Sequence, residues 1–160
     1  MLMVNQLVGF GAFAAAAGGY TYFRLAVTLT QDGTFVKLGE IEILVGGVDQ
    51  IPTMTGTTTS GCTMTADNAA NGAAWQAGNN ATGAWQPVTA VDDHTLQIQF
   101  SSPVSPTQYS LQDDNTGGQH IAMPKSWTFD GSNDGSSWTN LNTQTSVANW
   151  SANEKRTYSI

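Results

Sequence analysis

YFRLAVTLT, residues Tyr22 to Thr30, is the stretch on which the fold turns. Its side chains alternate: Phe23, Leu25, Val27 and Leu29 share one face, and Arg24, Ala26, Thr28 and Thr30 share the other. Successive side chains of an extended chain point to opposite sides, so this period of two predicts a strand with one buried and one solvated face. Asp32-Gly33 supplies a turn, and FVKLGEIEILV continues the pattern, with Ile41, Ile43 and Val45 opposite Glu40 and Glu42. TLQIQF repeats it further on, with Leu96, Ile98 and Phe100 facing in and Gln97 and Gln99 facing out. QYSLQ, SWTF and the terminal KRTYSI are shorter strand candidates.

No segment carries apolar residues at the 3.6-residue period over three turns, so helices are expected to be few. Between Gly46 and Pro87 the chain is rich in Thr, Gly, Asn and Ala without a sustained period, and NAANGAAW reads either as a short helical turn or as an irregular loop. Short strands punctuated by Gly, Pro, Asn and Asp predict an all-β protein, an antiparallel β-sandwich of jelly-roll type, with a barrel as the alternative closure.

Length and composition restrict the rest. A chain of 160 residues fits one domain that buries its own core. The single cysteine, Cys62, excludes an internal disulfide. Five Lys and Arg against twelve Asp and Glu give a net charge of -7, which repels a phosphate backbone and disfavours anionic membrane surfaces. Neutral glycans, held by stacking and hydrogen bonds, remain compatible with that charge. The opening run, Met1 to Gly19, is apolar, but no Lys or Arg precedes Arg24, Asn5 and Gln6 interrupt it, and its glycines weaken a helix. It is therefore read as neither a signal peptide nor a membrane span, but as an arm that docks on a neighbouring subunit or on its own domain, residues 20–160.

Three motifs resemble one family. YFRLAVTLTQDGTFVKLGEIEI is similar to the "RY-RL... aEiel" signature of discoidin and coagulation-factor type C-like modules, which have the galactose-binding-like fold. NAANGAAWQ resembles their "naiDG..T.W" loop, and SWTFDGSNDGSSWTNL their "l.gSnDG..W..l" hairpin. The signature that normally closes such a domain comes first here and the chain stops at EKRTYSI, so the order resembles a circular permutation. The expectation is that the strand of Arg24 lies beside that of Arg156, with both chain ends emerging together. The permuted order, with its opening NQLVGFGA and closing EKRTYSI, is similar to modules of bacteriophage tail and virion proteins.

Within PKSWTFDGSNDGSSW, Pro124 to Trp138, Asp134-Gly135 suits a tight hairpin, and Ser132 and Asn133 can bond its backbone. Trp127 and Phe129 share one strand face, as core residues do, so this segment reads as scaffold. In the resembling family, ligands sit among the loops at one end of the sandwich. The long loops here, 65–87 and 112–124, hold Trp75, Asn79, Asn80, Trp85, Asp113, Asp114, Asn115, Gln119 and His120. From these, Trp85, Asn79, Asn80, Asn115 and His120 are the candidate ligand contacts, Trp85 as a stacking face for a sugar and His120 on a loop after Gly117-Gly118. Trp75 reads as packed beneath its own loop, and Trp85 stands equally well as a core residue.

The resemblance also implies a structural calcium ion, held by Asn71 and Glu40 with Asp67 in support, although Asn71 stands where the family has a charged aspartate. The alternative for Glu40 is an ion pair with Arg24. No catalytic constellation is present: His94 follows Asp92 and Asp93 without a nucleophile elbow or a metal-binding helix, and the neighbouring Asp113 and Asp114 read as loop-solvating residues. The residues support no enzyme, and what the resemblance implies is a virion protein, a tail or capsid accessory assembled in the bacterial cytoplasm. It would be present in many copies, joined to other virion proteins through Met1–Gly19, and displayed for attachment to host-surface glycans. The alternative is a decoration or adaptor protein without a ligand.

Overall fold

In a computed structural model that describes residues 18–68, 72–87, 93–114 and 119–160, the chain is an antiparallel β-sandwich. One sheet orders β4 (Thr58–Thr59), β5 (Cys62–Ala66), β6 (His94–Val104), β1 (Tyr20–Thr30), β8 (Pro124–Ser132) and β9 (Thr139–Gln144) side by side. The other orders β10 (Lys155–Ser159), β7 (Gln108–Gln112), β2 (Glu40–Val45) and β3 (Val48–Asp49). Helical structure among the described residues is confined to 3-10 turns at Ala74–Gly78 and Gln119–Ala122. The first of these takes up the end of NAANGAAW, whose residues 69–71 lie outside the described residues.

The alternation seen in the sequence builds the core. Phe23, Leu25 and Val27 of β1, Leu96 and Ile98 of β6, and Trp127 and Phe129 of β8 turn inward against Ile41 and Ile43 of β2 and Tyr109 and Leu111 of β7. The Tyr109 ring stacks on Phe129 at 4.3 Å between centroids. Trp127 Nε1 donates to the Tyr109 hydroxyl at 2.8 Å, and that hydroxyl donates to Asn142 Oδ1 at 2.9 Å, so the buried polar atoms are satisfied in series. Leu29 departs from its expected face and is 37% exposed. The pairing of β1 with β8 shifts register after Val27, and a one-residue slip turns the following side chains over.

The hairpin after β8 forms as expected, by a slightly different set of bonds. Gly135 supplies a φ of +69°, and Ser132 Oγ accepts from the backbone N–H of Asp134 and of Gly135. Asn133 instead accepts from the N–H of Thr21 at the start of β1.

Two expectations are corrected. Arg24 and Arg156 lie on different sheets: β1 is central in the six-stranded sheet, and β10 edges the four-stranded one. The physical reason is that β10 finds its partner in β7, with Arg156 opposite Leu111, while both edges of β1 are already taken by β6 and β8. Gly19, ahead of β1, and Ile160 nevertheless lie near each other. Gly19 packs so tightly on the connection between β6 and β7 that an added Cβ would lie 2.5 Å from the carbonyl oxygen of Val104, and Ile160 N–H bonds to Thr107 O at 3.1 Å. Secondly, Arg24 does not pair with Glu40. It bonds to Asp130 across β8 at 2.8 Å, on the outer face of the other sheet.

The strand directions give the sandwich two distinct ends. The turn between β6 and β7, Gly19 and Ile160 occupy one end. At the other end β1 stops, β2 begins, β7 stops, and β8 and β10 begin. The loops that join those strands therefore gather away from Gly19 and Ile160.

Candidate functional site

At this loop end lies a cavity of about 420 Å³ whose floor is the start of β2 and the end of β7. Gly39, just before β2, makes it possible: a Cβ there would sit 2.5 Å from the backbone nitrogen of Asp114 and 2.6 Å from its Cα. Only a residue without a side chain lets segment 113–114 cross so close. The N–H of Gly39 bonds to Gln112 O at 3.0 Å, and that of Asp113 bonds to Glu154 O at 3.0 Å, which ties the crossing to the approach to β10.

The rim is made by asparagines in turn conformations. Asn80 has a φ of +51° and Asn153 of +59°, in the left-handed region that asparagine tolerates better than other side-chain-bearing residues. Gln112 Nε2 donates to Asn153 Oδ1 at 2.9 Å, and Asn153 N–H donates to Asp113 Oδ2 at 2.9 Å. Asn79 Oδ1 accepts from the N–H of Ala81 at 2.9 Å and so shapes the loop that carries Asn80, Ala81 and Thr82 to the rim.

Three carboxyl groups line this space. Asp114 meets Lys37 Nζ at 2.8 Å, and Asp113 is 4% exposed. Both were expected to solvate a loop. They are instead drawn inward, Asp114 by the Lys37 ammonium and Asp113 by the N–H of Asn153. The third, Glu40, is 7% exposed; its Oε2 accepts from the N–H of Asn80 at 3.1 Å, and its Oε1 has no hydrogen-bond partner. Burial pushes the Glu40 carboxyl up to about 8; the Asn80 N–H opposes this rise, and the nearby Asp49 and Glu42 charges add to it.

The structure brings some of the expected site residues together and separates others. Asn80 and Glu40 share the cavity, with Asn79 directly behind. Trp85 is corrected: it is 0% exposed, a core residue whose backbone pairs with Leu38, so it has no face to offer a sugar. Trp75 packs partly buried against the core. His120 stands apart from the cavity, on the 3-10 turn that leads into β8, where its carbonyl accepts from Gln31 Nε2 and its buried Nδ1 has no hydrogen-bond partner. Asn71 and Asn115 lie outside the described residues. Sequence reasoning missed Gly39, Gln112 and Asn153. Of these, only Asn153, between Ala152 and a run of charge, carried a turn signal that could have exposed it.

Of the described members of the set implied for calcium, Glu40 offers an orphaned buried carboxyl oxygen, the kind of ligand a hard cation needs. Asp67 turns to His94 Nδ1 at 3.3 Å and is not part of the cavity lining. Among the described residues no group of three or more His, Cys, Asp or Glu is arranged to hold a metal ion. The arrangement can bind and orient a small polar ligand by carboxylate acceptors below and side-chain amides above. No protein-family model, no curated protein and no solved structure matches the chain.

Proposed function

We propose that the chain is a binding module of the discoidin-like kind, carried in many copies by a bacteriophage particle and engaging host-surface glycans with its loop end. The observation that carries this reading is the opposition of the two ends of the sandwich. A rimmed cavity sits where the loops gather, while Gly19 and Ile160 sit together at the far end. A module tethered at one end presents the other outward, and weak single sites on a repeated display gain by multivalency. The cavity volume falls in the range of small-ligand sites, about 300–1,000 Å³. The carboxylates of Asp113 and Asp114 disfavour anionic sugars in this space.

Burial of Trp85 favours the second reading, an adaptor or decoration protein without a ligand, because no tryptophan lines the cavity to stack on a pyranose. A glycan array probed with the full chain and with Asn80→Gly separates the two. Asn80→Gly keeps the left-handed backbone and the N–H to Glu40 but strips the rim amide. Glycans bound by the wild type and lost by this variant support the binding module, whereas a wild type that binds no glycan leaves the adaptor.

A further inference from the structure

We propose that the loop-end cavity is selective for an amino sugar, a ligand whose ammonium group is received by the unpartnered Oε1 of Glu40. The inference rests on the glycan-binding reading above and adds the chemical class of the glycan.

The argument is one of charge balance in a confined space. Glu40, Asp113 and Asp114 line the cavity, and Lys37 compensates one of them at 2.8 Å from Asp114. Arg24 pairs with Asp130 and Arg156 with Glu154, away from the cavity, while Lys155 bonds to Glu42 and its charge acts on Glu40 only as the smallest of the influences there. Glu40 is nine-tenths buried, receives a single N–H on Oε2, and has its second oxygen buried without a donor. A buried polar oxygen left without a hydrogen-bond partner costs stability, so Oε1 is a standing demand for one.

Burial keeps a proton on the Glu40 carboxyl near neutral pH, and a neutral hydroxyl would leave it there. An anionic group would be repelled. An ammonium supplies both a donor and a compensating charge, so that Glu40 releases its proton to solvent as the ligand enters and accepts a charge-assisted bond, stronger than its neutral counterpart. The amides of Asn80, Gln112 and Asn153 around the same space provide donors and acceptors suited to the hydroxyls of the sugar frame.

Titration calorimetry on the full chain tests this with four probes: a glucosamine oligomer with free amines, its N-acetylated counterpart, a glucose oligomer, and calcium chloride. The expected result is binding of the free-amine oligomer, weakened at least about tenfold in Glu40→Gln, as loss of a charged acceptor implies. Circular dichroism melting confirms that this variant stays folded. Asn80→Gly, which keeps the carboxylate, is expected to weaken binding while preserving the preference for the free amine. Equal or tighter binding of the N-acetylated or glucose oligomer overturns the amine selectivity and leaves the glycan reading standing. Calcium that binds the wild type and not Glu40→Gln overturns it by making the cavity a metal site. Failure of every sugar overturns both readings.

Discussion

Glu40 illustrates how a residue's type and its environment part company. Its position at the start of an alternating strand was plain in EIEILV, and on the pattern alone its face is the solvated one. Burial comes from Gly39 and the crossing of segment 113–114, contacts more than seventy positions apart in the chain that no local pattern encodes. The consequence is measurable through pH. The Glu40 carboxyl stands at about 8 in the fold against an ordinary value of 4.5. Below both values it is protonated folded or unfolded, and stability does not depend on it. Between them the unfolded chain releases the proton while the native state keeps it, so stability falls as pH rises, by at most on the order of 5 kcal/mol, and levels off above about 8. Asp49, also raised by burial, contributes in the same direction and is common to wild type and variant. Urea unfolding of wild type and Glu40→Gln at pH 5 and at pH 8.5 isolates the effect: the midpoint of the wild type is expected to drop more than that of the variant. Parallel curves would mean that the carboxyl is ionised and solvated in the native state.

At the scale of elements, legibility followed apolar alternation. β1, β2, β6, β7 and β8 were readable because each carries bulky apolar residues at every second position, and these are the strands that meet in the core. β9, TNLNTQ, showed only as the return arm of the Asp134-Gly135 hairpin and not by alternation: it edges its sheet, buries little, and its side chains are almost all polar. β5, CTMTA, hid inside a Thr-rich stretch, although Cys62 and Met64 do alternate inward. The loop end is the part least available to pattern, because it is assembled by segments that meet only through the two sheets. Gly39 is the hinge of that assembly. Its backbone lies outside the left-handed region, so Gly39→Ala acts by collision alone, with a Cβ 2.5 Å from the Asp114 backbone nitrogen. Backbone cannot swing aside as a side chain does, so segment 113–114 must move. The variant is expected to lose about 1–3 kcal/mol, as overpacking in a well-filled site does. Gly56→Ala, where an added Cβ meets nothing within 4 Å, serves as the control and should be near neutral in the same denaturant titration.

For the molecule as a whole, the convergence of Gly19 and Ile160 is a stronger statement about the fold than the shared sheet first expected of their strands. Gly19 lies against Val104 and Ser105, and Ile160 against Thr107. Two residues of extended chain span at most roughly 7 Å, so a linker of about five residues is ample to join the two ends. Such a join would pass from the four-stranded to the six-stranded sheet beside the connection of β6 to β7, which makes the same crossing in Ser105 to Thr107. Opening the ring elsewhere then removes one loop closure and adds another, a change that scales only slowly with loop length. The exposed hairpin at Ser136 and Ser137 is a suitable place to cut, because their backbone N–H groups bond only to the Asp134 carboxylate within the same turn. The cost is that turn, together with the tethering of β9 to β8. A permutant running from Ser137 to Ile160, through a Gly/Ser linker, and on from Gly18 to Ser136 is expected to fold with the same cooperative melt, a few degrees below the parent. Thermal unfolding followed by circular dichroism reads the result. A permutant that melts without cooperativity would mean that the two ends, though adjacent, are not interchangeable with a loop.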